Sequence, residues 1–250
     1  THSSIQKGTT VAGYGHVRLI DVDDQQAMRI DALEAALNED RDGGLTPIFV
    51  AATIGTTGTT GVDPLRAIGE VCRKEKLWLH VDAAYAGTAM LCPEFRHHQD
   101  GLELADSYTF NPHKWMMVNF DCSVFYVADR APLIECLSIL PPYLKNEASE
   151  SGAVIDYRDW HVPLGRRFRA LKLWWVIRSY GAEGLRSMVR YHVELADQLA
   201  ARLEADSRFE LVAPHPFALV CFRCTESDEA TKRLADAVNE SGTVYWTASE

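Results

Sequence analysis

With 250 residues, 47% of them hydrophobic and 24% charged, the chain can bury a large core in one or two domains and has the composition of a soluble globular protein. Its 25 basic against 35 acidic side chains leave a net charge of −10, and no basic cluster with interleaved aromatics offsets it, so nucleic acid is not an expected partner. No apolar run approaches the roughly 20 residues that a spanning helix needs, so no membrane contact is expected either.

From about residue 17 to 130 the pattern alternates strand and helix. Val17-Arg18-Leu19-Ile20 reads as a short extended segment. Asp31, with Glu34 three residues on, has the spacing of a capping box, and Ala32, Leu33, Ala36 and Leu37 supply an apolar stripe that Gly43-Gly44 stops. The unbroken apolar run 47–52 predicts a buried strand. Asp63 as N-cap and Pro64 in the first turn predict the next helix, with Leu65, Ile68 and Val71 inward. Strands are then expected at 78–81, 107–110 and 123–127. Strands separated by helices of this length imply an α/β fold, a mostly parallel sheet with helices on both faces.

After Pro141-Pro142 the pattern changes. Residues 139–160 hold no convincing helix or strand, which in so long a loop points to function or mobility. A helix is expected over 164–180, with Leu171, Leu173, Trp174 and Val176 as core candidates, then a break at Gly181 and Gly184 and a second helix to about 206. Strands at 209–212 and 219–223 and a helix at 229–239 begin a smaller α+β unit. The expected division is a large domain over 1–180 and a partial C-terminal domain over 181–250. The opening at Thr1 and the strand-like ending mark the chain as an expected internal piece of a longer protein. Six scattered cysteines fit reduced thiols and a cytoplasmic setting rather than a disulfide framework. Cys221 and Cys224 have C-x-x-C spacing, but on a strand they face opposite sides, and no metal site is expected there.

The chemistry concentrates between His80 and Trp115. A hydrophobic strand, Leu77-Trp78-Leu79-His80-Val81, ends in Asp82-Ala83-Ala84-Tyr85, and 32 residues after Asp82 comes Lys114 within Asn111-Pro112-His113-Lys114-Trp115. A carboxylate at a strand end and a lysine after the next strand are the pair that pyridoxal phosphate (PLP) chemistry needs. The amine holds the cofactor as a Schiff base, and the carboxylate keeps the pyridine nitrogen protonated so that the ring accepts electrons. Ala84 is small enough to let a ring lie close. Trp115, Met116 and Met117 are expected to give Lys114 apolar surroundings, which disfavour a charged amine. Ser107, Asn111 and His113 surround the lysine in sequence and are candidates for the cofactor phosphate or a substrate carboxylate. Open-sheet ligands sit beyond strand carboxyl ends, where loop 53–61, Asp82 and segment 111–114 all fall. Two alternatives stay open: His80 and Asp82 as ligands of a metal hydrolase, though no third ligand has useful spacing, and a non-catalytic module. Gly55-Thr56-Thr57-Gly58-Thr59-Thr60-Gly61 is either a phosphate-contacting loop or a flexible turn, since it lacks the Gly-Lys-Ser/Thr ending of a nucleotide loop. Arg158, Arg166, Arg167 and Arg169 form either a salt-bridge network or a substrate clamp.

Five ordered motifs carry a family resemblance: Thr1-His2-Ser3-Ser4, His80-Val81-Asp82-Ala83-Ala84-Tyr85-Ala86-Gly87, Cys92-Pro93-Glu94-Phe95-Arg96-His97, Asn111-Pro112-His113-Lys114-Trp115 and Pro163-Leu164-Gly165-Arg166-Arg167-Phe168-Arg169. Over essentially its whole length the chain resembles the aromatic-L-amino-acid decarboxylases, the group II PLP-dependent decarboxylases. The resemblance implies a type I, aspartate aminotransferase-like fold and a homodimer with sites near its interface, whose phosphate loop and much of whose interface lie in an N-terminal segment outside these residues. It gives His2 the role of stacking on the cofactor ring and positioning the substrate carboxylate, and it places Thr57 near the cofactor. It makes Tyr143, in a mobile loop, the proton donor to the substrate carbon, where phenylalanine instead accompanies oxidative aldehyde formation. His113 and Gly165, where related histidine decarboxylases carry serine, favour an aromatic substrate. The competing expectations are a relative acting on histidine or an acidic amino acid, and an aldehyde synthase.

Overall fold

A computed structural model describes residues 2–139 and 155–248. Three short apolar runs form its central strands. β1 (Phe49–Thr53), β2 (Trp78–Asp82) and β3 (Ser107–Phe110) pair in parallel, in register from Phe49 opposite Trp78 to Asp82 opposite Thr109. Parallel neighbours need crossovers. The first is the helix Leu65–Glu75, and the second is a run of 3₁₀ turns between Ala86 and Leu104. β4 (Val124–Val127) returns antiparallel to β3, because only the short turn helix Pro112–Trp115 and a loop separate them. The sheet order is thus β1-β2-β3-β4, mostly parallel as expected.

In chain order the helices are α1 (Ser3–Val11), α2 (Ile30–Asp42), α3 (Leu65–Glu75), α4 (Pro112–Trp115), α5 (Ala131–Leu137), α6 (Ala170–Glu204) and α7 (Asp228–Glu240). Strand alternation sends Val50, Ala52, Leu79 and Val81 to one face, where they meet Leu33 and Leu37 of α2 and Leu65, Ile68 and Val71 of α3 in a single buried cluster. The other face carries Phe49, His80 and Phe125. There Phe49 and Phe125 remain 42% and 53% exposed, while Thr53, Asp82 and Ser107 are buried.

Several local expectations shift. Residues 17–20 join no sheet, and the nearest pairing is an isolated bridge between Val22 and Met28. Arg29, not Asp31, stands at the N-cap of α2, and Asp31 in the first turn pairs with Arg29. Asp63 does not cap α3 either. Its Oδ1 accepts from Met28 N and its Oδ2 from Thr53 N, both at 2.7 Å, so one buried carboxylate ties the approach to α2 to the end of β1. Burial pushes this carboxyl above its ordinary range.

The helix expected from 164 begins at Ala170, since Arg167 and Arg169 just before it are drawn to Asp121. α6 turns at Gly181, whose φ of 65 and ψ of 173 are not helical, while Gly184 stays within the helix. The chain then pairs β5 (Phe209–Leu211) with β6 (Phe222–Cys224), and Ser227 caps α7 by accepting from Ala230 N. Cys221 falls just outside β6, and all six cysteines are free. Of the loop expected over 139–160, residues 140–154, Tyr143 among them, lie outside the described residues; Tyr157–Trp160 form a 3₁₀ turn.

Asp63→Asn is expected to destabilise the fold by about 1–3 kcal/mol, because an amide nitrogen would face one of the two buried N–H groups that the carboxylate now satisfies. Equilibrium urea unfolding measures this, and an unchanged midpoint would show the carboxylate to be dispensable.

Candidate cofactor site

In-register pairing brings Thr53, Asp82 and Thr109 side by side at the carboxyl edge of the sheet. The three loops that leave this edge are each held by backbone bonds. After β1, Ile54 bridges Val62, the amides of Gly55 and Thr56 both donate to Gly61 O at 3.0 Å, and Gly61 N donates to Thr56 Oγ1 at 2.9 Å. This is a closed loop rather than a flexible turn, and Thr57 stands exposed on it. Gly55 is required there: its φ is +78, and a Cβ would lie 2.6 Å from that of Ala86.

After β2, Asp82 is 7% exposed. Its Oδ1 accepts from Ala84 N at 2.9 Å, and its Oδ2 takes no hydrogen bond from any described residue. After β3, Asn111 N donates to Ala84 O at 3.0 Å, which staples the turn bearing the lysine directly onto the Asp82 loop. Lys114 is exposed on α4 and forms no ion pair among the described residues. Trp115 and Met116 turn into the core and Met117 is half exposed, so these three do not enclose the amine as the sequence led us to expect. His113 is pinned by Cys122 N, which donates to its Nδ1 at 2.9 Å.

Ser107 lies at the other end of β3, across from His80. Its hydroxyl receives Trp78 Nε1 at 2.8 Å and sits 2.8 Å from His80 Nδ1. It reaches the carboxyl edge only through His80, which shares a strand face with Asp82. Burial pushes the His80 imidazole below its ordinary range, and the neighbouring Asp82 carboxylate opposes that shift. His2 caps α1, its Nδ1 accepting from Ser4 N at 3.1 Å; none of its contacts reaches Asp82 or Lys114. Three of the four arginines follow the salt-bridge reading: Arg167 and Arg169 meet Asp121 at 3.3 and 3.1 Å, and Arg158 meets Asp156 at 2.9 Å, while Arg166 forms no ion pair among the described residues.

The contacts that lock this arrangement were not foreseen from the sequence. Tyr85 stacks on Trp115 with ring centroids 4.7 Å apart and planes 11° from parallel. Trp115 Nε1 donates to His192 Nδ1 of α6 at 3.0 Å. Each aromatic directly follows a candidate residue, Ala84 or Lys114. That adjacency was the available signal, but nothing in it names the partner.

Residues 1–225 match the family model described as the pyridoxal-dependent decarboxylase conserved domain. The chain is 46% identical to an aromatic-L-amino-acid decarboxylase of Cavia porcellus, over 98% of this chain and 51% of that protein. It is 45% identical to a phenylacetaldehyde synthase of Arabidopsis thaliana, over 98% of this chain and 52% of that protein. A crystal structure of Oryza sativa TDC with PLP and tryptamine superposes with a TM-score of 0.94 at 42% identity, covering 98% of this chain and 53% of that one. The chain thus spans about half the length of the relatives it matches. By sequence and by fold, the chain belongs to the pyridoxal-dependent decarboxylase family.

Proposed function

We propose that the protein decarboxylates aromatic L-amino acids to the corresponding amines and carbon dioxide, using PLP. One observation carries the reading: the Asn111–Ala84 backbone bond joins the turn bearing an exposed lysine to the loop of a buried carboxylate with one uncommitted oxygen. This donor set fits the cofactor. Asp82 Oδ2 is an acceptor with no described partner, suited to a pyridinium N–H. Ala84 leaves room for a flat ring, and the Lys114 amine is accessible.

When bound, PLP supplies an aldehyde for amines and a ring that accepts the electron pair released as the carboxylate leaves. Asp82 holds the proton on the ring nitrogen by offering a fixed negative charge in a buried place, where that charge acts most strongly. Lys114 would hold the cofactor through its accessible amine. Thr57, Asn111 and His113 serve the cofactor phosphate or the substrate carboxylate, and Ser107 contributes from behind by holding His80 beside Asp82. His2 is assigned the cofactor ring face, and Tyr143 returns a proton to the substrate Cα. The two last assignments rest on the sequence motifs. His113 and Gly165 support an aromatic over a histidine substrate. The homodimer and cytoplasmic setting belong to the same proposal, supported by the exposed Phe49 and Phe125 rings and by six free thiols.

An aldehyde synthase is the second reading, since one relative carries that name at 45% identity. Tyr143 weighs against it.

In the protein as its gene encodes it, Asp82→Asn is expected to bind PLP weakly and to lose about a hundredfold or more in turnover of dopa, tyrosine or tryptophan, because an amide offers no charge to the ring nitrogen. An Asp82→Asn protein that turns over at the wild-type rate would refute the carboxylate's role. Tyr143→Phe removes one oxygen atom. Amine output should fall while aldehyde, ammonia and hydrogen peroxide appear with aromatic substrates. Unchanged amine output without peroxide would make Tyr143 a bystander.

A further inference from the structure

Residues 213–221 lie far along the chain from the three loops at the carboxyl edge, yet they touch all of them. Phe217 is fully buried, at 0% exposure. Its ring meets Tyr85 and Trp115 edge-on, each with centroids 6.4 Å away. The neighbouring Ala218 backbone lies beside the Tyr85 phenol, whose pKa burial pushes up to about 12, so that it stays protonated. Cys221 Sγ then donates to Gly58 O at 3.0 Å, in the loop after β1. Three of the contacts land next to candidate cofactor residues: Gly58 follows Thr57, Tyr85 follows Ala84, and Trp115 follows Lys114. Phe217 also packs against Phe95 and His98, with centroids 6.0 and 5.0 Å away.

We infer that the Phe217–Cys221 segment is a positioning element that holds the three cofactor loops in one mutual geometry, with Phe217 and Cys221 as positioning residues. This rests on the cofactor reading above. The Tyr85–Trp115 stack fixes the separation of the Asp82 and Lys114 turns but leaves the rings free to slide in their planes. An edge-on ring against both blocks that sliding. The thiol bond does the same for the loop that carries Thr57. Side chains that touch cofactor lose function when their supporting layer is loose by about 1 Å, so this layer should register in cofactor affinity and not only in stability.

The test uses the protein as its gene encodes it, with PLP affinity followed by absorbance titration and folding by thermal melting. Phe217→Leu keeps an apolar side chain in the core and removes the edge contacts to Tyr85 and Trp115, together with the ring contacts to Phe95 and His98. Cys221→Ala removes only the thiol bond. The PLP dissociation constant is expected to rise about fivefold or more in Phe217→Leu, the lower range of coupling between linked sites. It is expected to rise about threefold in Cys221→Ala, the worth of one hydrogen bond. A lower melting temperature with an unchanged dissociation constant in a folded Phe217→Leu protein would overturn the inference and leave the cofactor reading standing. If Phe217→Leu does not fold, Cys221→Ala decides by the same criterion. A wild-type protein that binds no PLP would overturn the cofactor reading itself, and this inference with it.

Discussion

The parallel register of β1, β2 and β3 is the constraint on which the rest depends. Because Thr53, Asp82 and Thr109 are direct neighbours across the sheet, the three loops that follow start from adjacent points and run out over the same edge. A one-residue slip between β2 and β3 would turn Asp82 to the opposite face and separate it from the lysine turn. The register is secured by burial, since Val50, Ala52, Leu79 and Val81 all belong to the core cluster and could not exchange faces without exposing it. Beyond the strands, the bond from Asn111 N to Ala84 O continues the pairing one step further and carries the register into the site.

Charge is distributed to match. The protein is acidic overall, with a net charge of −10, yet Lys114 stands without an acidic partner among the described residues. Arg167 and Arg169 are both drawn to Asp121. Asp82 keeps one oxygen uncommitted in a buried place, beside a His80 ring whose charged form is disfavoured. A carboxylate left this way costs stability unless something cationic meets it, and a protonated pyridine nitrogen is such a group. The Asp82 carboxylate is therefore incomplete as a set of protein contacts and poised to meet a cation.

Much of this was legible in the sequence, and the limits are physical. Asp82 and Lys114 could be read because each follows an expected strand, and strand ends in a parallel sheet are where ligands gather. Asp63 was misread as a cap because Asp-Pro before a helix is a local signal, whereas its real partners, Met28 and Thr53, are 35 and 10 positions away and are set by the tertiary fold. The antiparallel return of β4 follows from the short turn at Pro112, which leaves no room for a crossover. Ser107 is close to Lys114 in sequence but sits at the opposite end of its strand, a distance that proximity in sequence does not report. The Cys221 contact to Gly58 spans 163 positions, beyond any local pattern.

The central claim is that Asp82 and Lys114 form the two ends of one PLP site. Borohydride reduction of the PLP-loaded protein, followed by peptide mapping, tests it most directly. The account predicts the reduced pyridoxyl group on Lys114 in the wild type and its loss or sharp decrease in Asp82→Asn. Label on another lysine, such as Lys172, or equal labelling of Lys114 with and without the Asp82 carboxylate, would contradict it.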